Sequence, residues 1–355
     1  MIEPHLPNTF EPAATACNGS EAPPHPTVRA RTLSGLASRA AAAAAGACLA
    51  ALLVAATPAA ASPPGAAPQL DVTTLLTFDR ALGETPENLT LDRDGNIYVT
   101  LLLAHTVVRL DARGHVDRVV LPGTQAAGVE IDPRHPDRLT VAVSSPDAAV
   151  AGLWTVPLAA FRGAAAPSRA VALPTGSFPN GIAYDRNGTL YVADSTLGRI
   201  WRVRHDRDAA EVWLSDPALA PTGATNGPVL PGANGVKLAR GRIWVSNSSS
   251  SSLLSAPIAP DGSPGALSVA FDHLFEIDDF LITPRGEIVA ALNGANQVVS
   301  IAPGGRITVL EDEVAGARNP SAVALSDCGD IYVTNAAFLF PDGATLELLT
   351  APTSP

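Results

Sequence analysis

The stretch Ser177–Asp194, SFPNGIAYDRNGTLYVAD, is a unit that recurs along the chain. It reads as a loop ending in Pro-Asn-Gly, a short strand over Ile182–Tyr184, a tight Asp-Arg-Asn-Gly turn and a second strand over Leu190–Ala193. Apolar runs on either side of Asn-Gly signal a hairpin, because Asn and Gly accept the positive φ that such turns require. Two further strands, Arg199–Val203 and Ala210–Leu214, extend the unit to a four-stranded antiparallel meander. Related stretches begin at Pro86, Ala127, Ala233, Ile277 and Asn319. Aligned on the turn, the equivalents of Asn180 are Glu87, Ala127, Asn234, Asp278 and Ser321, at intervals of 40 to 54 residues. A four-stranded repeat of that period predicts an all-β chain folded as a six-bladed β-propeller.

The last repeat has two clear strands and a third at Thr345–Leu349, one short of a blade, while Val72–Phe78 reads as a strand with no hairpin partner. Joining them closes the ring and removes its open edges, so Val72–Phe78 is expected to be the outer strand of blade six. Residues 71–355 then form the propeller and 62–70 a Pro/Ala linker. Residues 1–61 read as a targeting region: Arg29, Arg31 and Arg39 precede the Ala/Leu run 40–56, and small residues follow. That order describes a signal peptide and predicts a secreted or cell-envelope protein with no stable membrane insertion after cleavage.

In a propeller the first strand of each blade lines the central channel. Glu87, Ala127, Asn180, Asn234, Asp278 and Ser321 are therefore expected around one mouth. Two carboxylates and two amides suit a hard divalent cation. Glu87, Asn180, Asn234 and Asp278 are the expected metal ligands, with Ca²⁺ foremost and Mg²⁺, Mn²⁺ or Zn²⁺ as alternatives. Asp194, Asn247, Asn293 and Asn335 end the second strands at equivalent places over the same mouth, and Phe178 stands nearby. These five are the expected substrate-binding residues. Glu130 and Lys237 interrupt apolar first strands, and an ion pair between them inside the channel would account for both.

The repeats, above all Pro179–Gly181 and Ala233–Gly235, resemble the senescence marker protein/gluconolactonase/luciferin-regenerating enzyme family. That resemblance implies a channel metal held by a Glu, two Asn and an Asp. Glu87, Asn180, Asn234 and Asp278 fall at the matching places in the matching order. It also implies hydrolysis of a small lactone or ester; since general-base work needs a carboxylate beside the nucleophilic water, Asp278 is the ligand expected to take the proton. Two departures point away from a sugar-acid lactone: Glu87-Asn88-Leu89 stands where the hydrolases have Glu-Gly-Pro, and Phe178 where they have an Arg. The alternative is a non-hydrolytic propeller, either a small-molecule binder or a cyclase-like enzyme of secondary metabolism.

The formal net charge is −11, with no basic run, which argues against nucleic acid as a partner. Neither G-x-S-x-G nor H-E-x-x-H occurs. The expected partner is a small-molecule substrate, and the expected state is a monomer.

Overall fold

The computed structural model describes residues 70–223 and 230–351. The expected targeting region, residues 1–61, lies outside the described residues, as does most of the linker. The described chain forms six four-stranded antiparallel sheets arranged as the blades of a propeller. Blade one comprises β2 (Pro86–Leu91), β3 (Ile97–Leu101), β4 (Thr106–Leu110) and β5 (Val116–Val120). The first strands of the next blades are β6 (Gln125–Ile131), β10 (Pro179–Tyr184), β14 (Ala233–Ala239), β18 (Ile277–Ile282) and β22 (Pro320–Leu325). The ring closes as expected: β1 (Asp71–Thr77) pairs antiparallel with β24 (Thr345–Thr350) as the outer strand of blade six. The only helical elements among the described residues are three short 3₁₀ turns, at Arg80–Leu82, Leu158–Arg162 and Pro217–Leu219.

Local chemistry explains the hairpins. The Asp185 carboxylate accepts from the Asn187 and Thr189 amides at 2.8 Å each, and Gly188 turns the chain at φ +80°. Asp92 with Gly95 repeats the arrangement in blade one. An Asp that satisfies the amides of its own turn and a Gly that takes the left-handed step together fix the register of the flanking strands.

The core is divided rather than central. Six buried apolar clusters fill the six seams between neighbouring blades. Tyr98 and Leu139 meet across the first seam, and Ile200 and Ile243 across the third. Each blade is thus apolar on both faces. That leaves the inner strand edges to line a polar channel and the outer strands to meet water.

Candidate metal and substrate site

Every first strand carries a β-bulge at the same place. Pairing shifts register between Pro86 and Leu89, Ala126 and Val129, Pro179 and Ile182, Ala233 and Val236, Ile277 and Phe280, and Pro320 and Ala322. The residues skipped include Glu87, Ala127, Asn180, Asn234, Asp278 and Ser321. A bulge releases a residue from the ladder and re-aims its side chain, and three of the six, Glu87, Asn234 and Asp278, reach the cavity described below. These residues lie inside the first strands, one step beyond the place the sequence suggested. All six are buried. Gly128, Gly181 and Gly235 follow three of them, and a Cβ on Gly128 or Gly181 would collide with the carbonyl oxygen of Asn180 or Asn234 on the next blade. These glycines let neighbouring first strands approach backbone to backbone around the channel.

The expected ligands meet in two linked pairs. Asn180 Nδ2 donates to Glu87 Oε1 at 3.5 Å, and Asn234 Nδ2 donates to Asp278 Oδ1 at 2.7 Å. Asn234 also donates to Ser248 Oγ at 2.9 Å, and Asn293 Nδ2 donates to Asp278 Oδ2 at 3.3 Å. Glu87 Oε2 is buried and has no hydrogen-bond partner. Burial pushes the Glu87 acid up to about 7, against the Asn180 hydrogen bond, with Asp279 adding to the rise. Burial, then the neighbouring Glu87 and Asp279 charges, hold Asp278 well above the usual carboxylate range. Ser321 Oγ turns away to donate to the Pro86 carbonyl at 2.9 Å.

A cavity of about 350 Å³ opens above this ring. Its polar lining is Glu87, Asn234, Ser248, Glu276, Asp278 and Asn293. The rest is apolar: Leu102, Phe178, Leu230, Pro231, Phe338 and Leu339. No Lys, Arg or His lines it among the described residues.

Of the five expected substrate-binding residues, Phe178 and Asn293 line this cavity. Asp194, Asn247 and Asn335 do not. Asp194 is fully buried and takes hydrogen bonds from Ser177 Oγ, Trp201 Nε1 and the Phe178, Thr196 and Leu197 amides. Asn247 bridges the Ala218 and Ala220 carbonyls to the Ser249 hydroxyl and the Ser250 amide. Asn335 joins the Arg318 amide to Thr345 and Glu347. All three brace loops behind the mouth. Glu276, Ser248, Leu102, Leu230, Pro231 and Leu339 had no place in the expected site. Glu276 and Ser248 each sit next to a strand end in a repeat, which is the one signal that could have found them.

Lys237 does not pair with Glu130. Its ammonium lies 2.7 Å from Asp279 Oδ1 and 2.8 Å from Oδ2, below the mouth ring, and Asn88 Nδ2 donates to Asp279 at 3.3 Å. Glu130 accepts instead from Thr90 Oγ1 at 3.0 Å and from the Ile131 amide.

No family profile and no curated protein matches the sequence. Solved structures do match. An auxiliary nutrient binding protein from Bacteroides ovatus is 10% identical, with a TM-score of 0.63 over 81% of this chain and 78% of that one. Regucalcin from Agrobacterium tumefaciens, described as a calcium-binding protein, is 17% identical, with a TM-score of 0.59 over 82% and 98%. A gluconolactonase from Xanthomonas campestris is 14% identical, with a TM-score of 0.59 over 80% and 90%. The likeness is one of fold. At these identities the propeller is shared, and the chemistry has to be argued from the residues at the mouth.

Proposed function

We propose that the chain is a metal-dependent hydrolase of small lactones or esters, acting as an exported monomer on a substrate held at the channel mouth. Glu87 carries this reading. It is a buried carboxylate with one oxygen unpartnered, beside a second buried carboxylate and with no cationic side chain in the cavity lining. Buried charge of that kind calls for a counter-ion. The donor set fits a hard divalent cation. Glu87 and Asp278 supply the charge, and Asn180 and Asn234 can turn their amide oxygens inward, since the two ends of an Asn amide occupy nearly the same space. No three His, Cys, Asp or Glu side chains cluster as ligands among the described residues, so the amides are needed to complete the set.

Ca²⁺ is the first expectation, and the description of regucalcin as calcium-binding agrees with it. When bound, such an ion polarises a carbonyl and lowers the pKa of a water. The chain's own residues do the rest. Asn293 orients the Asp278 carboxylate, and Asp278 would accept the proton of the attacking water. The apolar walls keep bulk water from the reacting carbonyl. Export rests on the composition of residues 1–61; among the described residues no helix is long and apolar enough to cross a membrane.

The second reading is a non-hydrolytic binder or cyclase-like propeller, favoured by the uncharged, apolar upper wall. A panel of lactones and esters, assayed with and without chelator, separates the two. The hydrolase loses turnover on chelation and regains it with Ca²⁺. Asp278→Ala lowers its kcat by roughly 10²–10⁴-fold at an unchanged melting temperature. Chelator-insensitive turnover overturns the metal role, and tight binding without turnover of any member establishes the second reading.

A further inference from the structure

Apart from Phe178, which stands just before β10, the apolar part of the mouth cavity comes from loops between strands that the repeat does not encode. Loops on the mouth face either join an outer strand to the next blade or link second and third strands. Outside the strands, every exposed large apolar side chain among the described residues lies in one of them: Leu82, Leu103, Phe275, Val314 and Leu339. The other exposed apolar residues belong to β-strands, mostly the outer ones. The opposite face is turned mainly by Asp- and Gly-rich loops such as 92–96 and 185–189.

Leu339 is the clearest case. It is 82% exposed and lines the cavity, yet its loop is firmly held. The Arg80 guanidinium donates to the Phe338 carbonyl at 3.1 Å and to that of Phe340. The Leu339 amide donates to Asn319 Oδ1 at 2.8 Å, and Arg318 covers the Phe340 ring at 5.0 Å. Phe178, on the cavity wall, is fixed in the same way: Asp194 takes its amide hydrogen, and its carbonyl accepts from Ser195. Exposed apolar groups on backbone this well held are presented to something. Of the five, Leu339 lines the cavity, with the half-buried Phe178 and Phe338 beside it, and that position says that it is the ligand.

We infer that the substrate is an uncharged ester or lactone with an extended apolar body. Its carbonyl would sit at the Glu87–Asp278 end and its hydrocarbon would lie along Phe178, Leu230, Phe338 and Leu339. The bond broken rests on the hydrolase reading above; the apolar body does not. An anionic group on the substrate body is disfavoured because no cationic side chain lines the cavity to pair with it, while Glu276, which is not a proposed ligand, faces it. Water adds its oxygen to the carbonyl carbon, the acyl C–O bond breaks, and the departing oxygen takes a proton, giving an alcohol and a carboxylic acid. The acid ionises and leaves into water.

The test has two arms. In the first, kcat/KM is measured for γ-lactones with alkyl chains of increasing length, beside a polyhydroxylated sugar-acid lactone. The expected result is a rise of about fourfold per methylene until the cavity is filled, with the sugar lactone poorest. Leu339→Ser and Phe178→Ser should each cut the long-to-short-chain ratio at least tenfold. In the second arm, a neutral long-chain alkyl amide, which is not hydrolysed, is titrated calorimetrically against wild type and both variants. Binding with a negative heat-capacity change, weakened at least tenfold in the variants, is expected. Turnover without chain-length preference, or tighter binding of a polyhydroxylated amide, overturns the inference and leaves the hydrolase standing. Alkyl-amide binding with no turnover of any lactone overturns the hydrolase and leaves the apolar ligand standing.

Discussion

Asp278 and Asp279 follow one another on β18, yet one faces the mouth and the other the middle of the channel. Asp279 meets the Lys237 ammonium with both oxygens and is supported by Asn88. Asp278 meets amides only, from Asn234 and Asn293, and shares its surroundings with Glu87. Asp279 is therefore paired with a cation of the chain, whereas Asp278 is not. A third buried arrangement lies at the seam between blades five and six. Glu311, on β21 (Ile307–Glu311), faces Glu347 on β24, and both Glu311 oxygens lack a conventional donor. Burial and the Glu347 charge push Glu311 up to about 9, which favours its protonated form at neutral pH. A fixed cation, a proton and a site open to a mobile ion are three ways to bury a carboxylate. The mouth carboxylates line the cavity of about 350 Å³, whereas Lys237 and Glu130 line a separate one of about 440 Å³.

Each contrast can be broken. The largest effect is expected at Lys237. Lys237→Met strands the Asp279 charge and should cost about 3 kcal/mol of stability by denaturant unfolding. Most of this should return in the Lys237→Met/Asp279→Asn double variant; a loss no larger than that of a surface lysine would show that mid-channel charge is not compensated by this pair. Next is the mouth. A cation requires ionised Glu87, whose acid lies at about 7, so Ca²⁺ affinity should fall below that pH. By calorimetry the drop between pH 8 and pH 5.5 should be at least tenfold, and weaker binding with a shallower pH dependence, left by Asp278, is expected for Glu87→Gln.

The smallest effect concerns Glu311. Its folded-state pKa lies above the ordinary value, so its contribution is fully present below about 4.5 and is lost as pH rises through about 9. Glu311→Gln mimics the protonated acid. It should match wild type near pH 4.5 and melt higher by about 4 °C at pH 8.5. A constant difference across that range would mean that no proton is shared.

The repeat made the architecture legible. Asp-x-x-Gly turns and period-two apolar strands are local signals, and counting them is enough to place the hairpins, the ring positions and the closing strand. The same local view misplaced Asp194, Asn247 and Asn335. Their strand-end positions resemble that of Asn293, which reaches the cavity, but each is consumed by partners that no repeat alignment reveals: loop amides, an indole and a hydroxyl for Asp194, loop groups for Asn247, and the Arg318 amide with Thr345 and Glu347 for Asn335. It also paired Lys237 with Glu130, because both stood out in apolar strands, when the partner was Asp279.

The amino-acid sequence by itself determined that six β-meanders would form and that one residue of each would be set before its hairpin, because turn chemistry and strand alternation act over a few residues. Only the tertiary structure decided what each of those residues faces. Closing the wheel brings together groups as far apart as Asn88 and Asp279, 191 positions distant along the chain, and a buried charge takes its properties from such neighbours rather than from its own repeat.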